Sequence, residues 1–169
     1  MPPATVYRLF SSKAGILKAL LDVSIAGDDE TTPLADRPHV RALFADPDPA
    51  RQLAGFVAVT SDVNSRTAPV YRLLVGAAAS DPGAATLLDD IDRQRQDGQG
   101  RIARALARSG ALRPGISERD AADIVHTLMS PEVYRLLVLV RGWHPERYQR
   151  WLTDGLVDQL LPRPHPERP

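Results

Sequence analysis

The apolar residues of this chain recur at intervals of three and four positions along nearly all of its 169 residues. One such helical face consists of four residues at i, i+3, i+4 and i+7, namely Leu53, Phe56, Val57 and Thr60. The alternation typical of strands is missing, and the 15 prolines and 11 glycines fall mostly between the periodic segments. The pattern predicts an all-α fold of about eight or nine helices.

Local signals predict where several helices begin. Ser12 is placed to cap a helix that runs to about residue 26, because a serine hydroxyl can accept a hydrogen bond from the free amides of the first turn. Asp48 and Pro49 have the form of an N-cap followed by a first helical proline. The segment Ser117–Asp120 has the form of a capping box.

Other signals predict interruptions. Pro69 is expected to open a new helix, since a proline inside a helix removes a hydrogen bond. A long helix is expected from about residue 84 to 109, with a weak or kinked middle at Gly98 and Gly100. Three acids in its first half, Asp89, Asp90 and Asp92, alternate with apolar residues and are predicted to form a solvated face.

Composition excludes several classes of function. The 21 basic and 21 acidic residues cancel, so the chain cannot hold nucleic acid by bulk charge. There is no cysteine, the four histidines are scattered, and no phosphate-binding or nucleophile motif appears. We therefore expect no metal, no cofactor and no enzyme activity. No apolar run approaches the ~18–20 residues of a membrane span, and the predicted location is the cytoplasm.

The most informative stretch lies near the start of the chain. Eight residues fit a pattern of fixed spacing: Thr5, Val6, Tyr7, Phe10, Ser12, Lys13, Ile16 and Leu17. Together they resemble the end of the DNA-binding domain of the TetR/AcrR family of bacterial transcriptional regulators. Taken singly, each of these residues could equally be an ordinary core or surface residue.

The resemblance implies a recognition helix and a helix that links it to a sensor domain. Thr5 would face the major groove, and Tyr7, Arg8 and Lys13 would contact the DNA backbone. Family members carry two further helices, roughly 40 residues, ahead of this point to complete the helix-turn-helix. The chain is accordingly expected to come from a truncated or mis-started gene, with a natural start upstream of Met1.

This interpretation divides the chain into three regions. Residues 1–26 would be the remnant of the DNA-binding domain, 39–161 a ligand-binding and dimerisation domain, and 162–169 a disordered, proline-rich tail. The whole is predicted to be a TetR-type helical bundle. In the family a small molecule binds among the middle helices. The predicted pocket residues are Phe56, Tyr71, Leu74, His126, Met129 and Tyr134. His126 could equally be an interior histidine, and Met129 is as readily explained by the core.

The last two helices are predicted to pair with those of a second copy. The segment from Val133 to Val140 is apolar on nearly every side, and the last helix carries a long apolar stripe. The predicted dimer contacts are Leu136, Leu137, Val140, Tyr148, Trp151, Leu152, Gly155 and Leu156. The alternative is that these helices simply pack on each other within one chain.

The predicted function is that of a TetR-type regulator, a repressor that senses a small apolar or amphipathic effector and then releases operator DNA. This chain would mainly be its effector-binding, homodimerising part. The alternative is a dimerising, ligand-binding module without DNA-binding activity, because a lone recognition helix lacks its scaffold. An all-α enzyme would require paired acids or histidines in a pocket.

Overall fold

The computed structural model describes residues 12–27, 32 and 34–163, and this part of the chain is helical without any strand. It contains α1 (Lys13–Ala26), a 3-10 turn (Leu34–Asp36), α2 (Pro38–Ala45), α3 (Pro49–Ala78), α4 (Pro82–Arg108), α5 (Glu118–Leu128), α6 (Pro131–Tyr134), a π-helical segment (Arg135–Val140) and α7 (Pro145–Leu160). The predicted all-α fold is confirmed. Most of the predicted tail, residues 164–169, lies outside the described residues. None of the described helices has the length and apolar character of a membrane span.

The predicted caps begin the helices where expected. The Ser12 hydroxyl accepts a hydrogen bond from the Gly15 amide at 3.0 Å and starts α1. The Asp48 carboxylate accepts from the Ala50 amide at 2.9 Å and starts α3, with Pro49 as the first helical residue. These side chains satisfy amides that the helix itself leaves without partners, and so they fix the ends of α1 and α3.

The capping box of α5 forms completely. The Asp120 amide donates to the Ser117 hydroxyl at 3.1 Å, and the Ser117 amide donates to the Asp120 carboxylate at 3.0 Å. The Ser117 hydroxyl also donates to the Asp120 carboxylate at 2.6 Å. This bond, and after it the bond from the Ser117 amide, holds the pKa of Asp120 below its ordinary value.

Replacing Ser117 with alanine is expected to lower the free energy of unfolding by about 1 kcal/mol at neutral pH. Because the folded-state pKa of Asp120 is lowered, its stabilising contribution is present at neutral pH and is lost as the pH falls through that pKa. The difference between the two proteins should therefore shrink below about pH 4 in urea titrations. Ser80→Ala, in an exposed turn, serves as the control and should change stability little. An equal loss at every pH would contradict this account.

The expected break at Pro69 is wrong, because α3 continues through it to Ala78. Proline there costs one hydrogen bond, but the residues around it are held by tertiary contacts: Ala68, Tyr71 and Leu74 are all buried. Tertiary packing outweighs the local penalty. Likewise α4 is unbroken across Gly98 and Gly100, and Gln99 between them is buried.

Two apolar clusters hold the helices together. The larger joins α3, α4, α5, α6 and α7, and its fully buried members include Leu53, Ile102 and Val125. The smaller packs α1 onto α3 and α4 through four buried residues: Leu21, Leu74, Ala84 and Leu87. Helix α1 is thus packed against the two longest helices of the described part of the chain.

Three predicted dimer contacts prove to be core residues. Tyr148, Leu152 and Leu156 are at most 1 % exposed within the single chain, because the apolar stripe of α7 packs against α3 and α5. In this arrangement these three side chains offer almost no surface to a partner. Leu137 is half-buried and packs against the same core.

The other predicted dimer contacts remain at the surface. Leu136, Val140 and Trp151 are exposed, as is Leu139, and we call these four residues the outer apolar set. A Cβ added at Gly155 would meet no atom within 4 Å. The leucine and valine members of the set lie in the π-helical segment, where the Arg141 amide donates to the Leu136 carbonyl at 3.0 Å. Within the single chain this apolar segment packs against the core through Leu137 and Val138 and leaves Leu136, Leu139 and Val140 exposed.

Candidate ligand-binding site

A cavity of about 310 Å³ lies among the first four helices. Each of these helices contributes apolar side chains to the cavity wall: Leu21 and Ile25 from α1, Val40 and Phe44 from α2, Phe56, Val59 and Val63 from α3, and Ile91 from α4. The volume is at the small end of the range of roughly 300–1,000 Å³ found for small-molecule sites. The wall favours a small ligand with a large apolar part.

The cavity contains two of the six predicted pocket residues, Phe56 and Tyr71. The other four do not line this cavity. Leu74 belongs to the cluster beneath α1, and the Met129 side chain is fully buried in the main core. Tyr134 packs edge-on against Tyr148, with 5.1 Å between ring centroids.

His126, the fourth, lies one layer behind the cavity wall. Its Nδ1 is 3.0 Å from the Gln99 side-chain oxygen, and its Nε2 is 3.1 Å from a guanidinium nitrogen of Arg95. Burial lowers the pKa of His126, and the Arg95 cation lowers it further. The ring is therefore neutral at pH 7: Nε2 accepts from Arg95, which can only donate, and Nδ1–H donates to Gln99.

A hydrogen-bonded network crosses the polar side of the cavity. The Tyr71 hydroxyl donates to Asp92 at 2.9 Å, and Asp92 lies 3.6 Å from Arg95. Arg95 also donates to the His126 carbonyl at 3.2 Å. Burial, together with the bond to Asp92, raises the pKa of Tyr71, so its hydroxyl stays protonated. The network fixes polar groups from α3, α4 and α5 around an otherwise apolar space.

The end of α5 is tied to the same wall. The backbone carbonyl of Met129 accepts a hydrogen bond from the side-chain amide of Asn64 at 3.2 Å and another from the side-chain amide of Gln99 at 3.4 Å. Both donors are buried and line the cavity. Met129 thus contributes to the site through its backbone, while its side chain serves the core.

The C-terminal end of α1 is held by a side chain from α3. Arg66 donates to the Ser24 carbonyl at 2.8 Å and to the Ile25 carbonyl at 3.3 Å, and it also pairs with Asp62. Gly27 ends the helix at φ 72°, a left-handed conformation that glycine adopts without strain. A Cβ at Gly27 would lie 2.7 Å from the Arg66 guanidinium carbon, so a larger residue there would displace the Arg66 side chain from its bonds to α1.

Replacing Arg66 with alanine is expected to loosen the last turn of α1. The two carbonyls lose partly buried, charge-assisted hydrogen bonds. We expect the free energy of local opening to fall by about 1 kcal/mol, which raises the opening equilibrium constant about fivefold. Hydrogen exchange of the α1 amides measures this directly. Arg72→Ala, on the same helix and exposed, should leave those rates unchanged. Equal rates in the two variants would show that Arg66 does not hold the helix.

Of the four predicted DNA contacts, Lys13 lies within the described residues. Thr5, Tyr7 and Arg8 lie outside the described residues. Lys13 is the first residue of α1 and is exposed. Lys18, one turn further along the helix, is paired with Asp22 at 2.7 Å.

The polar side of the site is not predicted by the sequence patterns described above. They place Asp92 on a solvated face, and its side chain is 41 % exposed, but they do not predict its bond to the Tyr71 hydroxyl or any role for Arg95 and Gln99. Their spacing is the signal that could have revealed this role. Asp92, Arg95 and Gln99 stand at i, i+3 and i+7, on the same helix face as the buried Ile102. Polar residues in line with an apolar stripe indicate a hydrogen-bonded network at the edge of the core.

Comparison of the chain with protein-family models, with curated proteins and with solved structures finds no match.

Proposed function

We propose that this chain is the ligand-sensing and homodimerising part of a TetR-type transcriptional repressor that works in the cytoplasm. A small apolar or amphipathic effector binds the cavity, and the linking helix α1 transmits its presence to DNA. The observation that carries this proposal is that α1 itself forms part of the cavity wall, through Leu21 and Ile25. The sequence motif across residues 5–17 supplies the link to DNA.

The coupling is explained by the contacts of α1. A ligand shifts an equilibrium only when it binds the two states with different affinity. Any ligand that touches Leu21 and Ile25 meets this condition, because its contacts depend on where α1 lies. Arg66 strengthens the connection, since it joins the end of α1 to the helix that carries Val63 and Thr67 in the cavity wall. A movement of α1 or of α3 is therefore transmitted to the other helix through these hydrogen bonds.

The outer apolar set supports the dimer. Leu136, Leu139 and Val140 are about half exposed in the single chain, and Trp151 is 39 % exposed. Exposed large apolar side chains grouped on neighbouring elements favour an interface with another protein surface. A second copy of the chain brings two recognition helices to one operator, as a two-fold half-site arrangement requires.

The decisive experiment is DNA binding by fluorescence anisotropy, over a salt series, with duplexes selected from a randomised pool. The chain is tested as it stands and also with any in-frame upstream codons of its gene included. We expect binding to a selected site with a steep salt dependence. Lys13→Gln should weaken that binding, whereas Lys18→Gln, already paired with Asp22, is the matched control.

Failure of both chains to bind DNA would contradict the regulator. If ligand binding and dimerisation persisted in that case, the chain would be a sensor module without DNA-binding activity.

A further inference from the structure

A second, wider cleft of about 740 Å³ adjoins the ligand cavity. Four arginines line it, Arg41 from α2 and Arg101, Arg104 and Arg108 from α4, and we call these four the arginine groove. The cleft and the cavity share two wall residues, Phe44 and Arg101. An apolar space and a cationic groove thus meet at the same point of the surface.

The positive charge of the groove is largely uncompensated. Arg101, Arg104 and Arg108 stand at i, i+3 and i+7, and so they share one face of α4. None of the three forms an ion pair with another residue in the described part of the chain. Among the described residues of the cleft wall Asp36 is the one acid, and it lies 3.8 Å from Arg41. Three guanidinium groups remain available to an anion.

The end of α4 does not explain this arrangement. A cation near a helix C-terminus interacts favourably with the helix dipole, but the effect is confined to the last turn. Arg108 is in that turn, whereas Arg101 lies about two turns earlier and Arg41 is on a different helix. The groove therefore gathers its charge from two elements at the mouth of the cavity.

We propose that the ligand is a single amphiphile whose phosphate-bearing head lies in the arginine groove while its apolar part fills the cavity. This inference rests on the proposed ligand-sensing function and specifies its ligand class. Phosphate oxygens match the planar, forked donors of arginine, and a multiply charged head can engage several guanidinium groups at once. The apolar cavity accounts for the rest of the molecule.

The test is displacement of the uncharged fluorescent probe N-phenyl-1-naphthylamine from the cavity by amphiphiles of equal chain length. Monomeric decyl phosphate should bind about tenfold more tightly than decanol, as expected of one net charge-assisted interaction. The advantage should shrink at high salt, because the groove is exposed and screened. Inorganic pyrophosphate alone, without an apolar part, should not displace the probe.

Arginine variants test whether the phosphate head of the ligand binds in the arginine groove. Arg104→Gln combined with Arg108→Gln should remove most of the tenfold advantage of decyl phosphate and leave the affinity for decanol unchanged. The matched control removes two exposed arginines elsewhere, Arg119→Gln and Arg150→Gln, and should change neither affinity. Vesicles containing phosphatidic acid should not sediment the chain, because the ligand is one molecule and not a membrane surface.

The outcomes are separable. Equal affinities for decyl phosphate and decanol would overturn the phosphate head and leave the ligand cavity standing. Capture by vesicles without binding of monomeric decyl phosphate would also overturn it. Failure of the probe and of every amphiphile to bind would contradict the ligand cavity and, with it, the proposed sensor function.

Discussion

Replacing Leu156 with alanine is expected to lower the free energy of unfolding by about 3 kcal/mol, because it deletes a fully buried side chain from the main core. The loss combines the transfer free energy of the missing methyl groups with the cavity left behind. Urea denaturation at fixed protein concentration measures it, since self-association would otherwise shift the midpoint.

The matched control is Leu139→Ala, the same chemical change at a side chain that is 53 % exposed. It should alter the stability of the single chain by less than about 0.5 kcal/mol. If the outer apolar set forms the dimer contact, this variant should instead weaken self-association in a sedimentation dilution series. The reverse result, in which Leu156→Ala weakens self-association without loss of stability, would show that the apolar stripe of α7 is a dimer contact.

Replacing Gly98 with leucine should abolish most ligand binding while stabilising the fold. Gly98 lines the cavity, and a Cβ there meets no atom within 4 Å, so the added side chain enters the space that the ligand occupies. Glycine inside a helix is also less favourable than leucine by roughly 0.5–1 kcal/mol. We expect the affinity for N-phenyl-1-naphthylamine to fall at least about tenfold, the equivalent of about 1.4 kcal/mol.

Gly100→Leu is the matched control. Gly100 lies on the same helix with equal room for a side chain, but it is not part of the cavity wall. Both variants should gain stability to a similar extent, and only Gly98→Leu should lose the probe. An equal loss of binding in both, or none in either, would show that the probe binds elsewhere.

The helix starts are predictable from the sequence because their causes are local. Ser12, Asp48 and Ser117 each accept hydrogen bonds from amides two or three residues away, so short-range spacing decides the outcome. Pro69 defeats the same kind of reasoning, because the contacts that keep α3 continuous come from distant parts of the chain.

The candidate site is harder to predict than the fold. An apolar stripe shows that a face is buried but not against what, which is why the pattern assigns Leu152 and Leu156 to a partner although they are core residues. Leu21 and Ile25 enter the cavity wall through the packing of α1 on α3, a pairing about 40 positions apart in the chain that periodicity cannot reveal.

The π-helical segment Arg135–Val140 has one further consequence, for insertions and deletions. A π turn accommodates one residue more than an α turn, so removing a single residue there can be absorbed by ordinary α-helical hydrogen bonds. The residues on the two sides of the deletion would then keep their directions, because the shortened α turn covers the same rotation that the π turn covers with one residue more. Pro131 and Tyr134, which are buried before the segment, would stay in place. The segment is thus a place where the chain can lose one residue, such as the exposed Leu139, while the core and the cavity remain intact.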